Sequence, residues 1–277
     1  MKNSDHPLIT SPQNPGIKAV IALRRRRGRD DAGLIVIEGT REIERALGCG
    51  IEPAGAYYCE EVADGRFLAA VLPRLGKAEA QVSRVTARVY EKLAYREGSE
   101  GMVLLARRPR SGLDGLTPGE KPFYIVADGV EKPGNLGAIF RSADGAGVSG
   151  IIVTGGGTDI FGPNAIRASL GTVFTVPSAE SSPDEAAAWL RKRKIRIIVT
   201  SPAASLPYTE ADLASPCAVV VGSEDAGASE SWLEASDEKV AIPMLGIADS
   251  LNVSTSASIL AYEALRQRSP AEGRKRE

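Results

Sequence analysis

The sequence is poor in the residues that most often carry covalent or metal chemistry. Its 277 residues include one histidine, His6, and three cysteines. Nucleophile systems of the Ser-His-Asp or Cys-His type and histidine-rich metal sites need an imidazole inside the fold, so one histidine in a polar leader argues against them. Cys49, Cys59 and Cys217 are scattered and lack Cys-x-x-Cys spacing, which predicts neither a disulfide framework nor a zinc site. We therefore expect chemistry that uses neither histidine nor metal.

Long apolar runs are missing as well. No stretch approaches the roughly 20 consecutive apolar residues of a membrane span, and the first residues lack the apolar run of a signal peptide. With 43% hydrophobic and 25% charged residues, the chain has the composition of one large or two ordinary globular domains. The expected location is the cytoplasm, without a membrane partner.

Net charge is also small. The formal value of −1, taken alone, argues against a nucleic-acid partner. Basic residues nevertheless concentrate before residue 111, and local basic patches can hold phosphates while the whole chain stays near neutral. For any one such run, a solvated helix face is the alternative interpretation. The most compact run is Arg24, Arg25, Arg26 and Arg27.

The first half of the chain predicts a small α/β unit, because short β-rich runs alternate with helical ones from residue 34 onward. Strands are expected at 34–37, 54–58, 81–85 and 102–106, with helices from Thr40, near 67–75 and after Thr86. Residues 107–122 then combine three prolines and three glycines, which is typical of an interdomain linker. The predicted divisions are a flexible leader at 1–8, a first domain at 9–107, a linker at 108–121, a second domain at 122–268 and a flexible tail at 269–277.

The second half repeats the alternation more strongly. Several strands are nearly all apolar, as in a parallel sheet covered on both faces. Strands are expected at 123–127, 151–153, 173–176, 195–199, 218–221 and 240–242, with helices at 135–146, 183–194, from 229 and at 253–268, and a helical turn at 164–170.

Three glycine-bearing loops follow strands of this half, where α/β sheets usually bind ligands. In the first, at 128–144, Gly134 and Gly137 permit a tight turn into a helix, Asn135 offers a donor and an acceptor, and Arg141 follows. An ordinary strand-to-helix turn with a surface arginine is the alternative. The loop is not a dinucleotide fingerprint, since Gly-x-Gly-x-x-Gly is absent.

The other two loops lie nearer the C-terminus. At 221–229, Gly222 and Gly227 let backbone come close to a ligand and Glu224 adds a carboxylate. At 242–258, Ser250 and Asn252 precede an Ala/Ser-rich helix whose first backbone amides are exposed. Helix capping by either residue is the simpler interpretation of the last loop.

Together the three loops resemble the signature motifs of the SpoU, or TrmH, family of RNA ribose 2′-O-methyltransferases within the SPOUT class. The likeness covers about residues 120–268, including 162–171, with matching order and spacing. The first domain resembles the substrate-binding module of many such enzymes, through residues 9–15, Lys18 and 37–41. The second loop departs from the family's usual Gly-Ser-Glu-Gly-x-Gly-Leu, because Asp225 replaces a glycine and Ala228 replaces the leucine.

The resemblance implies an α/β fold in which a parallel-sheet SPOUT domain carries a deep trefoil knot, threaded from about Gly222 onward. General topology rules alone would predict an unknotted doubly wound sheet. In similar enzymes S-adenosylmethionine (AdoMet) binds in the knot through backbone groups. The corresponding positions here are Gly222, Ile242 and Leu251, with Glu224 and Met244 nearby.

The implied reaction needs the ribose oxygen, the methyl group and sulfur in line, and stabilisation of negative charge on the oxygen. Arg141 is the expected stabilising group, acting by orientation and charge, because a guanidinium offers hydrogen-bond donors and no acceptor. Asn135 is expected to hold the ribose or Arg141, and Glu224 to pair with Arg141. Ser250 and Asn252 are expected to place the hydroxyl and the cofactor loop. No metal is required.

The resemblance further implies a homodimer acting on folded ribosomal RNA, most consistent with 23S rRNA, with Lys18, Arg41 and the Arg24–Arg27 run binding RNA. A transfer-RNA ribose methyltransferase is the first alternative. A non-catalytic RNA-binding or ribosome-assembly factor is the second, although the retained polar residues argue against it. A nucleotide-dependent dehydrogenase lacks both the glycine fingerprint and a Walker loop.

Overall fold

The computed structural model describes residues 6–95, 98 and 100–269. These residues form two compact units: the first ends at Pro109 and also includes Asp159–Thr175, and the second contains the rest of the chain from Arg110. Residues 1–5 of the predicted leader and 270–277 of the predicted tail lie outside the described residues. Numbered along the chain, the strands are Leu8–Ile9 (β1), Leu34–Glu38 (β2), Pro53–Tyr58 (β3), Gln81–Val85 (β4), Met102–Arg107 (β5), Phe123–Asp128 (β6), Gly150–Thr154 (β7), Ser178–Glu180 (β8), Arg196–Thr200 (β9), Leu206–Pro207 (β10), Cys217–Val221 (β11) and Glu238–Ala241 (β12).

The helices interleave with these strands in both units. Short 3-10 turns at Leu113–Gly115 and Thr172–Phe174 add to them. Within the described residues no helix combines the length and apolarity needed to cross a bilayer. The helices are Pro15–Ala22 (α1), Arg26–Ala32 (α2), Thr40–Gly48 (α3), Gly65–Lys77 (α4), Ala87–Leu93 (α5), Pro133–Ala146 (α6), Pro163–Ala168 (α7), Pro183–Lys192 (α8), Glu230–Ala235 (α9) and Val253–Arg268 (α10).

The first unit is built on a mixed sheet with strand order β1-β4-β3-β5-β2. Strand β5 runs antiparallel to β2 and β3, whereas β4 runs parallel to β3 and β1. Strand β1 begins inside the predicted leader, since Leu8 is paired with Arg84 of β4. A strand of two residues is too short to show an apolar pattern in the sequence. The polar composition of this segment therefore did not mean that all of it is unpaired.

The segment Asp159–Thr175 belongs by its contacts to the first unit, where α7 packs on β2. The strand predicted at 173–176 is wrong: Gly171, with φ of +81°, opens a 3-10 turn over Thr172–Phe174, and a strand follows only at Ser178. Val173 is nevertheless buried. An apolar run indicates that residues are buried, and it does not by itself indicate a strand. Here the run is buried by tertiary packing of a 3-10 turn.

The second unit contains the parallel sheet expected from the apolar strands, with order β10-β12-β9-β11-β6-β7-β8. Every described pair of neighbouring strands in it runs parallel. Strands β6, β7 and β11 are buried at every residue, as strands covered on both faces should be. The carboxyl ends of β12, β9 and β11 therefore lie side by side at one edge.

The predicted linker is packed rather than free. Leu116 is buried in the core of the second unit, and the carbonyl of Ser111 accepts a 2.7 Å hydrogen bond from the amide of Glu180. In the first unit, Arg108 forms ion pairs with Asp30 and Asp159. Proline and glycine thus mark irregular backbone here, and they do not mark a lack of tertiary contacts.

Helix α10 closes the second unit. It packs along α6, and the hydroxyls of Ser142 and Ser258 lie 2.6 Å apart between the two helices. At its C-terminal end, Arg268 donates to the carbonyls of Leu213 and Ser215 and lies over the ring of Phe123 at 5.2 Å. The helix that follows the third glycine loop is therefore fixed at both ends.

Candidate active site

A cavity of about 390 Å³ opens at the carboxyl edge of the second unit's sheet. Its walls come from the ends of β9 and β11, from the loop after β11, and from the segment between β12 and α10. Ligand sites of open parallel sheets lie at this edge. Of the predicted cofactor and catalytic residues, Gly222, Glu224, Ile242, Met244, Ser250 and Leu251 line the cavity.

The loop after β11 can adopt its path only with glycine at two positions. Ser223 and Gly227 exchange two backbone hydrogen bonds, of 3.0 and 3.1 Å, and Gly227 has φ of +70°. A Cβ atom on Gly222 would lie 1.9 Å from the carbonyl carbon of Gly227 and 2.0 Å from the amide nitrogen of Ala228. Since backbone cannot yield as a flexible side chain does, a residue with Cβ at 222 would displace the cavity wall.

Polar side chains from all three glycine loops converge on Glu224. Its carboxylate accepts hydrogen bonds from the amides of Asn135, at 2.8 Å, and Asn252, at 2.5 Å, and it pairs with Lys132. Asn252 also donates to the side-chain oxygen of Asn135 at 3.3 Å. Hydrogen bonds from Lys132 and Asn135 lower the pKa of Glu224, which is therefore ionised at neutral pH.

Lys132 was absent from the predicted site. The hydrogen bond from its ammonium to Glu224, together with the attraction between the two charges, raises the pKa of the lysine. A signal for it existed in the sequence, because Lys132 lies three residues before Asn135 in the same loop. What the sequence could not give was the distance between that loop and Glu224.

Asn252 serves two purposes at once. Its side-chain oxygen caps α10, accepting from the amide of Ser254 at 3.0 Å and from the Ser254 hydroxyl at 2.6 Å. Its side-chain NH₂ is directed to Glu224. Helix capping, the simpler interpretation of this loop, is confirmed for Asn252, and the cap also fixes the residue where the polar network needs it.

Arg141 lies apart from this network. It is exposed on α6 and is not among the described residues that line the cavity. The predicted pairing of Glu224 with Arg141 is wrong in this structure, because the hydrogen-bonding groups on that carboxylate are Lys132, Asn135 and Asn252. The reason is helical geometry: six residues separate Arg141 from Asn135, which turns its side chain by about 240° around the helix.

The charges of the cavity suit a cationic ligand. Among the described residues that line it, the ionisable side chains are Glu224, Asp225 and Asp249, while Val221, Ile242, Met244 and Leu251 give apolar surface. AdoMet carries a sulfonium and an ammonium against one carboxylate, and it also presents a flat adenine. The acidic charges and the apolar surface of the cavity therefore fit this cofactor. In the described part of the chain, no group of three or more His, Cys, Asp or Glu side chains could hold a metal ion.

In the first unit, the predicted RNA-binding run is divided between structural and exposed roles. Arg24 donates to the carbonyls of Lys92 and Ala94, at 2.7 and 2.8 Å, at the C-terminal end of α5. Two residues beyond the run, Arg29 is buried and pairs with Asp159 at 2.6 Å. Both guanidinium groups hold the unit together. Arg29 is buried in doing so, whereas Arg24 stays partly exposed.

The other predicted RNA-binding residues lie on the surface of the first unit. Lys18, Arg25 and Arg41 are exposed. Arg26 and Arg27 pair along α2 with the aspartates four residues further on, at 3.8 and 3.7 Å, and their side chains remain largely exposed. Exposed pairs of this kind are weak. The five side chains together place positive charge on this surface.

Comparison with known proteins agrees with this geometry. The SpoU rRNA Methylase family matches residues 122–262, and the MRM3-like substrate binding domain matches residues 14–104. The first of these spans contains the cavity and all three glycine loops.

Individual relatives point the same way. The 23S rRNA (uridine(2479)-2′-O)-methyltransferase of Streptomyces viridochromogenes is 34% identical over 62% of each chain, so the match spans just under two thirds of that relative. An AdoMet-bound rRNA methyltransferase from Sinorhizobium meliloti is 30% identical, with a TM-score of 0.88 over 95% of this chain and 98% of that one. A crystal structure of an RNA 2′-O ribose methyltransferase is 41% identical, with a TM-score of 0.79 over 94% and 99%. The chain thus belongs to the SpoU rRNA methylase family.

Proposed function

We propose that this protein transfers the methyl group of AdoMet to a ribose 2′-hydroxyl of 23S ribosomal RNA. The observation that carries the proposal is the joining of three glycine loops by the Asn135, Glu224 and Asn252 side chains beside an acidic cavity. The large-subunit substrate is drawn from the relative that is named for it. A transfer-RNA substrate has less support, since the matching family and two of the relatives described above are named for rRNA.

The cofactor would be held mainly by backbone. Gly222, Ile242 and Leu251 offer main-chain groups to the adenine and the methionine chain, with Met244 giving apolar contact and Glu224 giving charge. AdoMet, when bound, supplies an already activated methyl group. What remains for the protein is to orient the ribose and to keep water from the reacting atoms.

Arg141 is proposed to stabilise negative charge that develops on the ribose oxygen, while the proton passes to an RNA phosphate or to solvent. Asn135 and Ser250 orient the ribose, and Asn252 holds the cofactor loop through its cap on α10. Since Arg141 is exposed outside the cavity, RNA binding is proposed to complete its placement.

The protein is further proposed to act as a cytoplasmic homodimer, with the deep trefoil knot of the SPOUT class in its second unit. Tyr262 and Leu265 on α10 expose 52% and 36% of their surface, which favours coverage of that helix by a second copy. Sedimentation velocity measures the dimer directly. On the RNA side, Lys18, Arg41, Arg25, Arg26 and Arg27 supply positive charge, and Arg24 contributes by holding α5.

The proposal is tested with Arg141→Ala and the exposed-arginine control Arg74→Ala. Arg141→Ala should bind AdoMet with unchanged affinity in calorimetry and lose about 100- to 1,000-fold in methyl transfer to 23S rRNA. Arg74→Ala, on the outer face of α4, should behave like the wild type in both assays. Near-normal turnover of Arg141→Ala would remove that residue from the mechanism, and AdoMet binding without transfer by the wild type would favour an assembly factor.

A further inference from the structure

A buried chain of hydrogen-bonded side chains meets the end of the loop after β11. It consists of Asp128, the last residue of β6, Thr154, the last residue of β7, and Trp232 of α9. Their exposed fractions are 2%, 1% and 0%. None of the three lines the cavity.

In this hydrogen-bonded chain, the contacts determine which group donates and which accepts. The indole nitrogen of Trp232 donates to the Thr154 hydroxyl at 3.1 Å, and that hydroxyl donates to one oxygen of Asp128 at 2.7 Å. The second oxygen of Asp128 accepts the backbone amide of Ser229 at 2.8 Å. Because the indole can only donate, the Thr154 proton must point to the carboxylate, which leaves the other oxygen for Ser229.

The amide of Ser229 is where this chain meets the candidate site. Ser229 ends the cavity loop and is the residue before α9, and its own side chain makes no capping hydrogen bond. The loop is therefore attached at Gly222 by the end of β11 and at Ser229 by Asp128. Between these points, Glu224 and Asp225 project to the cavity.

A buried carboxylate is costly unless its oxygens are hydrogen-bonded, and packing alone would be served as well by an apolar residue. We propose that Asp128, Thr154 and Trp232 are positioning residues. Through Ser229 they hold the cavity loop, residues 222–229, in the position in which it binds AdoMet. This inference rests on the proposed function, because the proposed function identifies AdoMet as the ligand of the loop. It assigns these residues to cofactor affinity and leaves the methyl-transfer step to others.

The test compares two substitutions at Thr154. Thr154→Val keeps the shape but removes the hydroxyl, which strands the Trp232 indole and one Asp128 oxygen, whereas Thr154→Ser keeps the hydroxyl. We expect Thr154→Val to raise the AdoMet Kd about tenfold in calorimetry, with kcat at saturating AdoMet within about twofold of wild type. Thr154→Ser should restore the affinity to within about twofold.

A control separates positioning from general destabilisation. Ile198→Val removes one methylene from a buried side chain of β9 and should lower the melting temperature without changing the AdoMet Kd. Hydrogen exchange supplies a readout that needs no cofactor: a peptide covering 222–229 should exchange faster in Thr154→Val than in Thr154→Ser or Ile198→Val.

The outcomes are distinct. Wild-type AdoMet affinity and exchange in Thr154→Val, or a Kd that rises equally in Ile198→Val, would overturn the positioning role while leaving the proposed function intact. A wild-type protein that binds AdoMet but methylates no RNA would overturn the proposed function, while the Thr154 pair would still decide the positioning role. Absence of AdoMet binding by the wild type would overturn both.

Discussion

The two units differ in how the sequence positions of their polar residues relate to their positions in the fold. In the first unit, a compact run of arginines is divided, since Arg24 caps α5 and nearby Arg29 is buried against Asp159, while the rest stay at the surface. In the second unit, residues far apart in sequence, Asn135 and Asn252, meet on one carboxylate. Like charges that are close in sequence therefore do not by themselves form a site. Loops at one edge of a parallel sheet do converge, because topology places them there.

The strongest change in AdoMet binding is expected at the backbone of the second unit's cavity loop. Gly222→Ala places a Cβ atom about 2 Å from backbone of Gly227 and Ala228, so the cavity wall must move. We expect AdoMet affinity to fall by about 100-fold, equivalent to about 2.8 kcal/mol, in calorimetry. Gly76→Ala in α4, where a Cβ would meet nothing within 4 Å, is the matched control and should bind normally. Unchanged affinity in Gly222→Ala would contradict the backbone-lined cofactor site.

The strongest change in stability is expected at Arg29, and it tests whether the arginines of the first unit are divided between buried and exposed roles. Arg29→Ala should lower the free energy of unfolding by about 3–5 kcal/mol, because it leaves the buried Asp159 carboxylate without its closest partner. Arg27→Ala, which breaks an exposed pair in the same helix, should change it by less than about 0.5 kcal/mol. Urea denaturation measures both. Equal losses in the two variants would mean that burial does not distinguish these arginines.

A moderate effect is expected at the polar network. Glu224→Gln removes the ion pair with Lys132 and sets an NH₂ group against amide donors, so AdoMet affinity should fall about tenfold. The pH dependence has a definite sign. Because the pKa of Glu224 is lowered in the folded protein, the network is intact above the ordinary value of 4.5 and is lost only as pH falls through the lowered value. Wild-type affinity should thus hold from pH 7 to 5, and a decline within that range would argue against an ionised Glu224.

The smallest effect concerns Asp225, the charged replacement within the second motif. Asp225→Asn should weaken AdoMet binding about two- to threefold and leave S-adenosylhomocysteine, which lacks the sulfonium charge, unaffected. Added salt should reduce the difference, since the side chain is exposed. Equal effects on both ligands would show that Asp225 acts by shape rather than by charge.

Much of the second unit could be predicted from its sequence. The final helix was expected at 253–268 and occurs as Val253–Arg268, because Asn252 gives a clear N-cap and the residues after it suit a helix. The cavity-lining positions followed from glycine loops and family motifs. The pairing of Glu224 with Lys132 instead of Arg141 could not be predicted, since it depends on which face of α6 meets the loop.

Less of the first unit was accessible. Helices α1 and α2 were not predicted. They have only eight and seven residues, and unlike the equally short α5 they do not lie between two predicted strands. Nor could the burial of Arg29 be read from a run of arginines, since its partner Asp159 lies 130 residues away. Whether such an arginine is buried depends on a partner far away in the sequence, and a single sequence does not show which residues pair.

The most direct measurement is transfer of a labelled methyl group from AdoMet to purified 23S rRNA, followed by alkaline hydrolysis. A ribose 2′-O-methyl group blocks cleavage of the adjoining phosphodiester, so the label should appear in an alkali-resistant dinucleotide from one site. At an AdoMet concentration near the wild-type Kd, Gly222→Ala should greatly reduce that label. Label recovered in mononucleotides would mean methylation of a base, and that result would contradict the central claim.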